Sequence, residues 1–351
     1  MRAGTGPRAG TALKSRWRFA IFAAGAAIFV FLLYKVGFHT LAENLRRAGW
    51  TLVPIILLWI PVHILYAAAW YTSMADGAER PPFWRTVLIS VSSFAVNLVT
   101  PFVQAGGEVY RASSVTPWIG AQRATSSTVT YYMMHALSNM LTWLAGIALV
   151  VLFYPVPAAL TIPLVIAAAL IVALIVFVFV RHQQGVVAPL VRLLRRLPLL
   201  GRLAVKLEAK KDRLEELDQL ITGFYHQAPG RFFLCVGIDT VGRALSALEF
   251  WFLARGIHVT IGLMDAFVIS SFGTLGVNII FFVPLEAGVK EGSFYFIFRM
   301  LGLDPAIGVF AAIVQRLREF AWIGLGLLLT LLIPTGRTAF RDRRGETRTP
   351  E

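Results

Sequence analysis

The chain has 351 residues, of which 57% are hydrophobic and only 15% are charged. A soluble domain is usually about half apolar and about a quarter charged, so this composition excludes an ordinary soluble domain and indicates a polytopic membrane protein. The net charge of +14 comes mainly from basic residues near both ends and in one central segment. No groove-reading motif accompanies that charge, so we expect anionic lipids as partners and no nucleic acid.

Six apolar runs approach or exceed the roughly 20 residues that cross a hydrocarbon core, and we predict six spanning helices from them. In chain order they cover residues 17–33, 52–71, 124–153, 160–180, 232–253 and 307–333. Two further segments, 84–115 and 265–300, begin as apolar runs and are then interrupted by proline, glycine and charged residues. These interruptions predict broken helices.

Basic residues predominate in three polar segments: 1–16, 181–231 and 335–351. The positive-inside rule places all three in the cytoplasm. Six crossings satisfy that placement only if each interrupted segment enters and leaves the membrane on one side. We therefore predict an all-α membrane protein with about six spanning helices, two re-entrant helical hairpins and a transmembrane domain over 17–334. Both termini would lie in the cytoplasm.

Apolar residues recur at helical spacing over 203–221, inside the basic segment 181–231. This pattern predicts an amphipathic helix that lies on the membrane surface. Two roles remain open for it: a structural elbow, or a binding site for a partner enzyme. The sequence also leaves a homodimer open.

The two interrupted segments resemble each other at an offset of 178 to 188 residues, which predicts a duplication with halves at about 84–153 and 265–333. Broken helices in inverted repeats are typical of transporters, whose binding sites lie where the repeats meet. The matching residues are Ser92-Ser93-Phe94 with Ser270-Ser271-Phe272, Asn97 with Asn278, Pro101 with Pro284, Gly106 with Gly288, Glu108 with Glu291, and Arg111 with Arg299.

The first hairpin contains the sequence "PFVQAGGEVYR" at 101–111. Pro101 disrupts the preceding turn, and Gly106 and Gly107 permit close backbone approach. Glu108 and Arg111 are three residues apart on one helical face, and a guanidinium suits a phosphate. We therefore predict an anionic headgroup site here that also includes Asn97. A Glu–Arg pair that only stabilises the hairpin is the alternative.

The second hairpin contains "VPLEAGVKEGSF" at 283–294. Pro284 and Gly288 would break the helix, while Asn278, Lys290 and Glu291 would extend the binding site. Lys290 suits a headgroup phosphate, and Glu291 would orient it or pair with a cation. A solvated hairpin tip is the alternative.

Charged residues also interrupt the last two apolar runs, where they are costly and therefore suggest function. We add Arg316 and Arg318 to the predicted binding residues, although an internal Arg316–Glu319 pair is an alternative. Arg318 would then face water or a lipid phosphate. Asp239 and Arg243 have i,i+4 spacing and are predicted to form a structural pair.

Catalytic motifs are missing from the sequence. His63 and His135 are isolated, Cys235 is the single cysteine, and no phosphate loop or nucleophile elbow is present. Metal sites need clustered ligands. We therefore expect no cofactor, no metal and no enzyme activity.

The motifs together resemble the lysylphosphatidylglycerol synthase transmembrane, or flippase-like, domain family. The resemblance covers roughly residues 20–335. It rests on Pro101, Gly106, Gly107, Glu108 and Arg111 in the first half, and on "PLEAGVKEGSF", "MLGLDPA" and Arg316 in the second. It implies a bacterial inner-membrane protein that moves or handles lipids: an anionic phospholipid, a polyprenyl-phosphate or a hopanoid lipid.

The sequence departs from the family pattern at two places. The helix after the first motif reads "TVTYYMMHALSN", without the arginine that the family usually has there, and Ala287 and Val289 replace common glycines. Bifunctional members carry an aminoacyltransferase domain, which we do not expect in the 18 residues after Ile333. Two functions follow as hypotheses: a lipid translocase, or a non-transporting scaffold that presents a lipid to a partner enzyme.

Overall fold

The computed structural model describes residues 48–74, 80–100, 106–182, 228–279 and 288–332, together with His39 and Arg46. Nine α-helices and no strands are found within these ranges, which confirms the predicted all-α membrane fold. They are α1 (Leu52–Ser73), α2 (Phe83–Val99), α3 (Gly106–Ile119), α4 (Ala121–Phe153), α5 (Ala158–His182), α6 (Pro229–Gly256), α7 (Leu263–Ile279), α8 (Val289–Met300) and α9 (Pro305–Leu332).

Three of these helices are long and apolar enough to cross a membrane: Gly49–Ser73, Ala121–Phe153 and Ala158–Phe177. Helices α6 and α9 have 28 residues each, about 42 Å at 1.5 Å per residue, but they carry several charged residues. Five of the six predicted spans therefore coincide with long helices. The first predicted span, the helix at 203–221 and both basic ends lie outside the described residues.

The helices α2–α4 and α7–α9 have the same order and similar lengths. Each set begins with a 17-residue helix and continues with a short one of 14 or 12 residues. A glycine with positive φ follows, Gly120 at 81° or Gly302 at 72°, and then a long helix of 33 or 28 residues. Glycine suits both turns because it has no Cβ to oppose a left-handed backbone.

The two sets pack reciprocally, since α2 packs on α9 and α7 packs on α4. Small residues allow both approaches. A Cβ on Gly326 of α9 would lie 2.5 Å from the Cβ of Ala95 on α2, and one on Gly146 of α4 would lie 2.6 Å from the Cβ of Ser271 on α7. Gly146 and Gly326 are 180 residues apart, within the offset range of the repeat.

Helices α1 and α6 pack on each other between the two sets, and each also contacts the first helix of its own set. The structural halves are therefore α1–α4 and α6–α9, one helix longer than the halves predicted from the sequence. The two additional helices, α1 and α6, differ from each other in sequence. Helix α6 carries Asp239, Arg243 and Glu249, whereas α1 is uncharged.

Helix α5 lies outside this arrangement and packs on α4. Its large apolar side chains point outward, and Ile162, Leu170 and Phe177 are all more than half exposed. An apolar surface of this kind suits contact with lipid tails.

Candidate functional site

A cavity of about 410 Å³ lies between the two halves. This volume is in the range of small-molecule sites. Helices α1, α2, α3 and α4 of the first half and α6, α7, α8 and α9 of the second all contribute residues to its wall. Six of the eight predicted binding residues line it: Asn97, Glu108, Arg111, Asn278, Lys290 and Arg318.

The beginning of α3 is held against α2 by hydrogen bonds to Gly107. The Gly107 N–H donates to Asn97 Oδ1 at 2.7 Å, and Ser93 Oγ donates to the Gly107 carbonyl at 2.5 Å. A Cβ on Gly107 would lie 2.2 Å from the Ser93 carbonyl oxygen, so this position requires glycine. Asn97 Nδ2 also donates to Glu108 Oε1 at 3.3 Å. Asn97 thereby orients the hairpin as well as lining the cavity.

Gly106 has a similar constraint, since a Cβ there would lie 2.2 Å from Thr100 Oγ1. The two adjacent glycines let the short helix begin in direct contact with the end of α2. Pro101, the predicted break, lies outside the described residues.

Arg111 is 7% exposed and lies between two aromatic rings. Its guanidinium carbon is 4.9 Å from the Trp70 ring centre and 4.7 Å from that of Tyr131. Its Nη1 is 3.7 Å from Glu108 Oε2, which is too far for a hydrogen bond. In the part of the chain that the structure describes, Nε and Nη1 of Arg111 have no hydrogen-bond partner. The cavity wall therefore contains a buried cation whose hydrogen-bonding capacity is largely unused.

The second hairpin is fixed differently. Gly288 has φ 79°, and its N–H donates to Glu291 Oε2 at 2.9 Å, so the glutamate caps its own helix. Glu291 Oε1 accepts from Arg316 Nη2 at 2.8 Å. Neither Glu291 nor Arg316 is among the residues that line the cavity. Their pair joins the start of α8 to α9, and Pro284 lies outside the described residues.

The neighbouring charges of this half are closely paired. Lys290 Nζ lies 2.7 Å from Glu319 Oε1, which also accepts from Arg318 Nη2 at 3.2 Å. Arg318 is 3% exposed and also bonds Glu249 of α6, with its guanidinium 3.8 Å from the Trp59 ring centre. The alternative of an internal Arg316–Glu319 pair is thus wrong, because Arg316 pairs with Glu291 while Glu319 pairs with Lys290 and Arg318. Of the two surroundings expected for Arg318, open water is not what the structure shows, because Glu249 and Glu319 pair with it; a contact with a lipid phosphate stays a prediction.

A second charged cluster joins α4 to α6. Asp239 is fully buried and contacts His135 Nδ1 at 2.8 Å and Arg243 Nε at 3.2 Å, which confirms the predicted Asp239–Arg243 pair. Arg243 also donates to Asn139 Oδ1 at 2.8 Å and to the His135 carbonyl at 3.0 Å. Arg243 and His135 both line the cavity. The cluster therefore fixes one wall of the site.

The two clusters are arranged alike around α6. Asp239 binds His135 of α4, and Glu249 binds Arg318 of α9, ten residues or about 15 Å further along the helix. On the α1 side, Tyr66 meets the ring of His135 edge-on with centres 5.3 Å apart, and Trp59 faces Arg318. The two clusters are thus about 15 Å apart along α6, a length equal to about half the thickness of a hydrocarbon core.

Sequence reasoning missed several wall residues: His135, Asn139, Glu249 and Glu319 were not among the predicted binding residues. Charge inside an apolar run was the available signal for the two glutamates. Nothing in the sequence around His135 indicates its partner, because Asp239 is 104 residues away. The described residues contain no cluster of metal-binding side chains.

This fold and cavity define a polytopic helical membrane protein with a buried, charge-lined site between two structurally similar halves. The chain belongs to the lysylphosphatidylglycerol synthase transmembrane-region family, whose model matches residues 17–327. Membership makes it a membrane domain of a family concerned with lipid handling. Comparisons with curated proteins and with solved structures gave no match.

Proposed function

We propose that the protein acts as a lipid translocase in the bacterial inner membrane, rather than as an enzyme, and that the cavity binds the phosphate of a lipid headgroup. The observation that carries this proposal is Arg111. Of the four Lys and Arg side chains among the described wall residues, the other three have a carboxylate within 3.2 Å. The nearest carboxylate to Arg111 is 3.7 Å away. Two of its nitrogens, Nε and Nη1, have no hydrogen-bond partner within the described ranges.

A buried guanidinium without hydrogen bonds is costly, because the charge has lost water and gained little in return. The aromatic rings of Trp70 and Tyr131 recover part of that loss through cation–π contacts. A phosphate oxygen would recover more, since charge-assisted hydrogen bonds to Arg are short and strong. An anion is therefore the ligand chemistry that best completes the site.

The surroundings of the cavity suit a lipid rather than a soluble anion. The site lies inside a bundle whose outer surface is apolar, as on α5 and at Leu57 and Ile60 of α1. A headgroup in the cavity would leave its acyl chains in the bilayer. Movement of the headgroup between the two charged clusters along α6 would carry it across part of the membrane.

The test is reconstitution of the full chain in liposomes with Arg111→Gln. We expect binding of phosphatidylglycerol to weaken by about 10- to 100-fold, since hydrogen bonds to charged groups contribute about 1.5–3 kcal/mol. Translocation of a fluorescent phosphatidylglycerol, followed with a membrane-impermeant quencher, should fall in parallel. Arg123→Gln is the matched control, because Arg123 is exposed at the start of α4. Wild-type binding and transport in Arg111→Gln would refute the proposal.

A further inference from the structure

His135 of α4 presents an imidazole nitrogen to the cavity that is free to accept a proton. Its Nδ1 lies 2.8 Å from Asp239 Oδ1, and Asp239 is fully buried. A carboxylate can only accept, so Nδ1 carries the proton of a neutral His135 and Nε2 carries a lone pair. The side chain is 32% exposed and lines the cavity, and its hydrogen bonds to described residues are made through Nδ1 alone. Nε2 can therefore take up a second proton.

The other histidine of the wall, His63, is less suited to this role. It is 3% exposed and lies among three aromatic rings. Its Nε2 has no hydrogen-bond partner within the described ranges. A proton on His63 would lack the counter-charge that Asp239 offers to His135, and a buried charge without a partner is costly.

The charges around His135 make its protonation sensitive to an anion in the cavity. The charged and titratable groups near its ring are Asp239 and Arg243 of α6, Arg111 of α3, Tyr66 of α1 and Tyr131 of α4 itself. Among the described wall residues, those of α7 are uncharged and none comes from α5. Asp239 attracts an additional proton, whereas both arginines repel one.

The two arginines differ in what offsets their charge. Arg243 is paired with Asp239 at 3.2 Å, but the nearest carboxylate to Arg111 is 3.7 Å away. Arg111 and His135 also lie against the same ring, that of Tyr131, with their separations from its centre at 4.7 and 5.6 Å. An anion bound to Arg111 would offset the guanidinium charge and would thereby favour a proton on His135.

The charges of the site balance before any anion enters. The described wall has four Lys and Arg side chains and three carboxylates, and Asp239 supplies a fourth carboxylate behind His135 and Arg243. A lipid phosphodiester would therefore bring one uncompensated negative charge into a site within the membrane, where such charge is costly. A proton on His135 would restore the balance.

Building on the proposed function, we propose that His135 is a proton-binding site coupled to the lipid phosphate, so that the anion and one proton occupy the cavity together and are carried together. The proton leaves bulk water, forms an N–H bond at Nε2 and returns to water when the headgroup leaves. A monoanionic lipid and its proton move no net charge. A pH difference across the membrane would therefore drive transport, whereas the membrane potential would act on it little.

The first experiment counts the protons taken up when the full-length protein, purified in detergent, binds phosphatidylglycerol. Calorimetry in buffers of different ionisation enthalpy should give up to about one proton taken up per lipid bound. The affinity should fall by about 5- to 150-fold from about pH 5.5 to about pH 8.5, a range that spans the ordinary titration of imidazole. The phosphodiester stays ionised throughout, so the change reports a group of the protein.

His135→Gln assigns the proton to its site. Glutamine can still donate to Asp239 but takes up no proton, so proton uptake should vanish and the affinity should stay near the wild-type value at high pH. His258→Asn is the matched control, because His258 is exposed in the turn after α6 and asparagine tolerates its φ of 59°. This control should keep the proton uptake of the wild type.

The second experiment tests coupled movement in liposomes that hold a pH dye in the lumen. Phosphatidylglycerol added to the outer leaflet should carry protons inward and acidify the lumen as it reaches the inner leaflet. Translocation without acidification would overturn the coupled movement.

The binding results separate this inference from the function on which it rests. Lipid binding without proton uptake, weakened by Arg111→Gln, would overturn the proton site and leave the phosphate site standing. Proton uptake that survives in His135→Gln would overturn the assignment to His135. Failure of every anionic lipid to bind would overturn both the proton site and the proposed function.

Discussion

Close packing of α2 on α9 depends on the absence of a side chain at Gly326. A Cβ there would lie 2.7 Å from the Val91 carbonyl oxygen and 2.5 Å from the Ala95 Cβ. Ordinary contacts need about 3.5 Å or more, so Gly326→Ala would push the helices apart by about 1 Å. Overpacking of this kind costs about 1–3 kcal/mol, against about 1 kcal/mol gained from helix propensity. We therefore expect a net loss of up to about 2 kcal/mol.

Gly324 provides the control two residues away on the same helix. A Cβ at Gly324 would meet no atom within 4 Å. Gly324→Ala should therefore gain only the higher helix propensity of alanine, which would stabilise the protein by up to about 1 kcal/mol. Thermal unfolding of both variants in one detergent should give midpoint shifts of opposite sign, on the order of a degree or more. Equal shifts, or a more stable Gly326→Ala, would refute the packing argument.

Two further predictions concern the ion pairs. Glu291→Arg and Arg316→Glu should each lower the midpoint of thermal unfolding. The double exchange should recover part of that loss, because it restores the ion pair that lies at 2.8 Å in the wild type. Additive losses would show that the pair does not join α8 to α9. Asp239→Asn should lower the free energy of unfolding by up to about 3 kcal/mol, because it leaves Arg243, whose side chain is only 12% exposed, without its carboxylate. His135→Gln should cost less, since a neutral glutamine can still donate to Asp239; equal losses for the two variants would contradict this ranking.

Much of the fold could be predicted from apolar runs and from the spacing of small and charged residues. Five predicted spans coincide with long helices, and the break between α2 and α3 precedes the glycines that the sequence indicated. The repeat was detectable because Asn97, Gly106 and their counterparts, Asn278 and Gly288, recur in order. The extra helix at the start of each half, α1 or α6, was not detectable as part of the repeat. Helix α1 is uncharged, whereas α6 carries the acidic residues that hold both clusters.

The sequence by itself determined the contacts that a single helix defines: Glu108 beside Arg111, and Asp239 beside Arg243, follow from three- and four-residue spacing. Only the tertiary structure decided which charges meet across helices. Arg318 reaches Glu249 over a separation of 69 residues, and Arg316 reaches Glu291 rather than the nearer Glu319. Helix packing sets such distances, and the spacing of residues along one helix carries no information about them. For the same reason, only the folded chain distinguishes Arg111, the cation among the described wall residues whose nearest carboxylate lies beyond hydrogen-bond distance, at 3.7 Å.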